Sequence, residues 1–108
     1  MPIYNKLVRD RIPEIIEQDG NKTVTRILSE DEYLLEIKHK MHEELTEYEE
    51  AAEDADQLEE LADLLELVHA AAAVLGATPA ELEELRAEKA AQRGGFSDRI
   101  YLVEVHDE

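Results

Sequence analysis

A chain of 108 residues with 44% apolar residues and a formal net charge of -17 fits one domain, residues 1–108, and is too apolar to be a disordered acidic tail. So negative a surface excludes duplex DNA or RNA and anionic membranes as partners held by charge, and it favours cations or a salt-rich cytoplasm that screens self-repulsion. With no cysteine, disulfides and thiolate metal ligands are excluded as well.

The opening "MPIYNKLVRD" lacks the apolar centre of a signal peptide, and the longest greasy stretch, "LVHAAAAVLGA", is too short to span a bilayer. A cytoplasmic protein away from the membrane is the expectation. In chain order, Asp10 is placed to cap a short helix over "RIPEIIEQ", with Pro13 in its first turn and Gly20 as its stop. The β-branched alternation of "KTVTRIL" predicts an accessory strand near residues 22–28, and "RIYLVEV" predicts another near residues 99–105. The two are expected to pair with each other or across subunits. After Ser29, "SEDE" reads as a capping box that opens a helix with Leu34, Ile37, Met41, Leu45, Tyr48 and Ala52 on one stripe. A third helix is predicted from about Asp56 to Leu75, carrying Leu58, Leu61, Leu65, Val68 and Ala72, with Leu64 and Leu67 widening the apolar face. That width calls for burial on more than one side. Gly76 ends it, and Thr78-Pro79-Ala80-Glu81 forms a second capping box for a fourth helix that reaches about Arg93, before Gly94 and Gly95. The fold class is all-α, a four-helix-type bundle with the two short accessory strands.

Charge runs on amphipathic helices are usually solvated faces, and most of these glutamates fit that description. Position separates four carboxylates from the rest. At about 100° per residue, Glu44 borders the Met41, Leu45, Tyr48 stripe with Glu47 one turn further on, while Glu43 points away. Glu60 falls between the azimuths of Leu64 and Leu67, with Asp63 just beyond. Glu44-x-x-Glu47 and Glu60-x-x-Asp63 therefore lie on sequential helices whose short connection makes them antiparallel neighbours. Four converging carboxylates repel unless some stay protonated or a hard cation, Mg²⁺ or Mn²⁺, sits between them. A single ExxE would carry little weight in a chain so rich in glutamate; two on buried flanks of adjacent helices carry more.

On the fourth helix Lys89 and Arg93 share the face of Leu82 and Leu85. Two cations there either snorkel, pair with nearby glutamates, or hold phosphate groups beside the carboxylates.

"YNKLVRDRIPEII", the ExxE and ExxD pair in "EELADLLE" and its preceding helix, and "EKAAQRGGF" together resemble the all-α NTP pyrophosphohydrolases of the MazG-like superfamily, in the phosphoribosyl-ATP pyrophosphohydrolase-like branch of short stand-alone proteins. The resemblance spans nearly the whole chain and keeps the order of its elements. It implies Mg²⁺-dependent hydrolysis of a nucleotide between its α and β phosphates, giving a monophosphate and pyrophosphate, by a homodimer or higher homo-oligomer with sites at helix interfaces. Carried over, it makes Glu44, Glu47, Glu60 and Asp63 metal ligands, makes Lys6, Arg9, Lys89 and Arg93 phosphate contacts, and leaves Glu44 or Glu47 to orient or deprotonate the attacking water.

Three functions compete: house-cleaning of non-canonical nucleotides, hydrolysis of phosphoribosyl-ATP in histidine synthesis, and a non-enzymatic acidic helical protein that only oligomerises. The "NKLVRD" opening favours the first over the second. His39, His42, His69 and His106 lack the spacing of a zinc site, and there is no Walker loop, dinucleotide fingerprint or nucleophile triad. Tyr48 and Phe96 read as core residues before base-stacking ones.

Overall fold

A computed structural model describes residues 3–107. It is all-α, with helices α1 (Ile12–Gln18), α2 (Glu30–Glu50), α3 (Asp54–Val74) and α4 (Pro79–Arg93) in a bundle-like arrangement. Its packed centre is the antiparallel hairpin of α2 and α3; α4 touches α3 and not α2. The chain direction turns by 105° between α3 and α4. Among the described residues no single helix is long and apolar enough to cross a membrane.

Local chemistry explains where these helices begin and end. At Ser29 the hydroxyl accepts from the Glu32 backbone N–H, and the Glu32 carboxylate accepts from the Ser29 N–H. Thr78 and Glu81 repeat the reciprocal arrangement at the start of α4, where Pro79 opens the first turn. The end of α3 is a Schellman turn: the Ala77 N–H donates to Ala72 O and the Gly76 N–H to Ala73 O, each at 2.9 Å, with Gly76 at φ +85°. Only glycine adopts that backbone without a Cβ penalty.

Three expectations are corrected. Asp10 does not cap α1: the N-cap is Arg11, with no side-chain cap bond. The Ile12 N–H instead donates to Arg9 O at 3.0 Å, and Pro13 in the first turn has no N–H to offer. The third helix begins at Asp54, not Asp56, because Gln57 Nε2 donates to Ala51 O at 3.0 Å and ties the α2–α3 turn together. Finally, the accessory strands expected near residues 22–28 and 99–105 do not form: both segments are irregular, with Arg99 at φ +58°, and the described residues contain no strand. Alternation encourages an extended backbone, but a strand also needs a neighbour to take its hydrogen bonds, and neither segment is paired as a strand.

The core is small. Ile37 of α2 is fully buried and Ala72 of α3 nearly so, while the expected stripe on α3 is open at Leu58, which is 68% exposed, and at Leu61 and Leu65. The radius of gyration, 18.6 Å, exceeds the about 13 Å of a compact chain of this length. The accessible surface of 9886 Å² likewise exceeds the about 6,100 Å² that scaling gives for a compact monomer of this mass.

Candidate metal centre

The hairpin places the predicted acids together. Glu44 lies six residues before the end of α2 and Glu60 six residues after the start of α3, so an antiparallel pairing sets them opposite one another. Glu47 lies one turn along from Glu44 on the same flank. Carboxylate oxygens of Glu44, Glu47 and Glu60 lie within 4.8 Å of one another. No histidine takes part in this cluster.

Glu44 is the unusual member. Only 7% of it is exposed, and it is the one charged residue that is buried among the described residues. Glu44 Oε2 and Glu60 Oε2 are both shut off from solvent with no hydrogen-bond partner, a costly state for a carboxylate oxygen. Burial first, then the facing carboxyls of Glu60 and Glu47 and the charge of Asp63, push the Glu44 carboxyl up to about 8. Between neighbouring carboxylates, either a shared proton or a cation relieves the conflict.

A hard divalent cation fits the donors. All three are carboxylates, the oxygen donors that Mg²⁺ and Mn²⁺ prefer, and Glu44 and Glu60 each carry an oxygen without a hydrogen-bond partner.

Asp63 is not part of the trio. Its Oδ1 accepts a hydrogen bond from Arg9 Nη2 at 2.6 Å. Lys6 donates to Glu43 Oε1 at 3.0 Å, and that pairing raises the Lys6 ammonium and lowers the Glu43 carboxyl. Glu43 therefore faces the segment carrying Lys6 and Arg9, where helix arithmetic alone turned it away. Lys40 of α2 is mostly buried, with its Nζ 3.9 Å from Glu44 Oε1 and 4.0 Å from Glu43 Oε2. Its i,i+4 spacing to Glu44 was the available signal.

The eight predicted site residues thus separate into two sets. Glu44, Glu47 and Glu60 converge, with Asp63, Lys6 and Arg9 beside them. Lys89 and Arg93 are exposed on α4, which does not pack on α2; within one chain they are not brought to the carboxylates. The helix face shared with Leu82 and Leu85 is not a buried face here, since Leu85 is itself exposed.

Among known proteins, the chain is similar to an uncharacterized protein of Mycolicibacterium smegmatis, with 50% identity over 42 residues, 39% of this chain and 43% of that protein. The match therefore spans less than half of that relative. No family model matches the chain, and no solved structure does.

Proposed function

We propose that this chain is a divalent-metal-dependent nucleotide pyrophosphohydrolase, cleaving a nucleoside triphosphate between its α and β phosphates. The observation that carries the proposal is Glu44: a carboxylate held nine-tenths buried against two others, with an oxygen that has no partner. Lys40 reaches only one oxygen of Glu44, at 3.9 Å; the three carboxylates still bring like charges together, an arrangement that a cation would complete.

In this reading Glu44, Glu47 and Glu60 hold the cation, Mg²⁺ or Mn²⁺, which would supply charge neutralisation for the phosphate oxygens and the leaving pyrophosphate. Glu44, the most enclosed, serves as a ligand. Glu47, exposed to solvent, is placed to accept a proton from the attacking water. That water adds to the α-phosphorus, the bond from the α-phosphorus to the bridging oxygen breaks, and the electron pair leaves with pyrophosphate. Lys6 and Arg9, at the rim, are the phosphate contacts nearest the cluster. The proposed role is house-cleaning of non-canonical triphosphates, in the cytoplasm.

Homo-oligomerisation belongs to the same proposal. The open stripe of Leu58, Leu61 and Leu65 and the excess accessible surface both support a second copy packing on this one. Such a copy is also the route by which Lys89 and Arg93 would reach a carboxylate cluster, that of a neighbouring subunit.

Replacing Glu44→Gln, Glu47→Gln and Glu60→Gln, one at a time, tests the reading by circular dichroism and pyrophosphate release. Each should keep its helicity and lose activity by about 100-fold or more, since several kcal/mol of charge stabilisation depend on the metal. Near-parental turnover in all three at saturating Mg²⁺ would remove the metal-site assignment. A substrate panel that includes phosphoribosyl-ATP distinguishes the house-cleaning role from histidine synthesis.

A further inference from the structure

The sequence predicts four carboxylate ligands, yet the cluster that closes contains three, and the fourth is held by a cation from a distant part of the chain. Asp63 Oδ1 accepts from Arg9 Nη2 at 2.6 Å, across 54 residues of sequence. One helical turn away on α3, Glu60 has a buried oxygen without a partner. Lys6 makes the matching contact on the other helix, with Glu43 of α2. The segment carrying Lys6 and Arg9 therefore bridges α2 and α3 beside the trio, held by two ion pairs, and brings positive charge to the place where unneutralised carboxylates would otherwise repel.

We propose that Arg9 is a displaceable counter-ion of Asp63: a divalent cation entering the Glu44, Glu47 and Glu60 trio takes Asp63 as a further ligand and frees Arg9 to bind the phosphates of the substrate. The inference rests on the metal-site reading above and adds an order of events to it. Two observations make the exchange feasible. Both partners are partly solvent-exposed, Arg9 at 54% and Asp63 at 40% of their side chains, so the pair is one of the weak, screened kind and is easily given up. Glu60 and Asp63 share one face of α3 at i,i+3, so Asp63 can turn toward the trio without any change in the helix. A cation there would both compete for the carboxylate and repel the guanidinium. The released guanidinium, planar and always charged, suits a phosphate better than a lysine would. Metal-free protein would then mask its own phosphate-binding arginine, and nucleotide would bind productively only after the metal.

The test is Mn²⁺ titration by calorimetry of the parent, Arg9→Met and Arg11→Met at about 0.15 M salt, where charges further apart than ~8 Å are screened. Arg11 is the charge-matched control, since its partner is Glu14 on α1. Arg9→Met should bind Mn²⁺ about two- to fivefold more tightly than the parent, the range of an exposed ion pair, while Arg11→Met stays close to the parent. At saturating Mn²⁺, Arg9→Met should bind an α,β-methylene nucleoside triphosphate at least about tenfold more weakly, as for loss of a charged hydrogen bond. Those opposite signs from one substitution are the signature of the exchange. Equal Mn²⁺ affinity in the two variants, or weaker Mn²⁺ binding in Arg9→Met, overturns the displacement; tighter Mn²⁺ with unchanged nucleotide affinity overturns the hand-off to phosphate. A parent that shows no saturable Mn²⁺ binding overturns the metal site itself.

Discussion

Glu44 shows how a single residue couples packing to chemistry. Helix arithmetic from the sequence already put it at the border of an apolar stripe, and the structure completes its burial and sets Glu47 and Glu60 against it. The ion pair between Arg9 and Asp63 was not legible in the same way, because it depends on where a segment 54 residues away docks, and no local period encodes that. Raised to about 8, the Glu44 carboxyl binds its proton more tightly folded than unfolded. The stabilisation from that proton is complete below the unfolded carboxyl range near 4.5 and is lost as pH rises toward 8. The metal-free protein should therefore melt at progressively lower temperature between about pH 5 and 8, and Glu44→Gln should flatten that slope. Because a cation needs the ionised form, Mn²⁺ binding at pH 7 should also release protons. Calorimetry in buffers of different ionisation enthalpy measures that release, and a buffer-independent enthalpy would contradict it.

At the scale of elements, both capping boxes and the Gly76 stop were legible because each is written within a few residues. The strands were not: "KTVTRIL" and "RIYLVEV" specify an extended conformation but not a partner. The Asp10 cap failed for a local reason, since Arg9 O and the proline in the first turn leave it little to accept. The Schellman turn at Gly76 gives a clean stability test. A Cβ at Gly76 would meet nothing within 4 Å, so the cost of Gly76→Ala is purely that of its backbone at φ +85°, about 1 to 2 kcal/mol. Gly95→Ala, which is equally uncrowded and free of that conformation, should be nearly neutral. Urea denaturation of both variants measures the difference, and equal midpoints would mean that the α3–α4 turn contributes little to folding.

Across the whole molecule, the tension is between a strongly acidic surface and too little core. A charge of -17 repels a second copy, while Leu58, Leu61 and Leu65 leave an apolar stripe for one to cover. Salt should settle the contest in favour of association, because screening weakens repulsion more than it weakens apolar burial. Light scattering should report an oligomer whose affinity rises with ionic strength, and Leu61→Glu should shift it toward monomer; an unchanged mass in that variant would exclude this stripe from the interface. Under the proposed function the carboxylate cluster and the open apolar face belong to one design, in which the acidic hairpin would hold the metal and neighbouring subunits would complete the surroundings of the nucleotide. The most direct test is ³¹P NMR of the products formed from a nucleoside triphosphate with the 108-residue chain and Mg²⁺. A nucleoside monophosphate and pyrophosphate in equal amounts, with turnover abolished by chelator and by Glu44→Gln, is the predicted result. A nucleoside diphosphate with free phosphate, or turnover that survives both treatments, would contradict it.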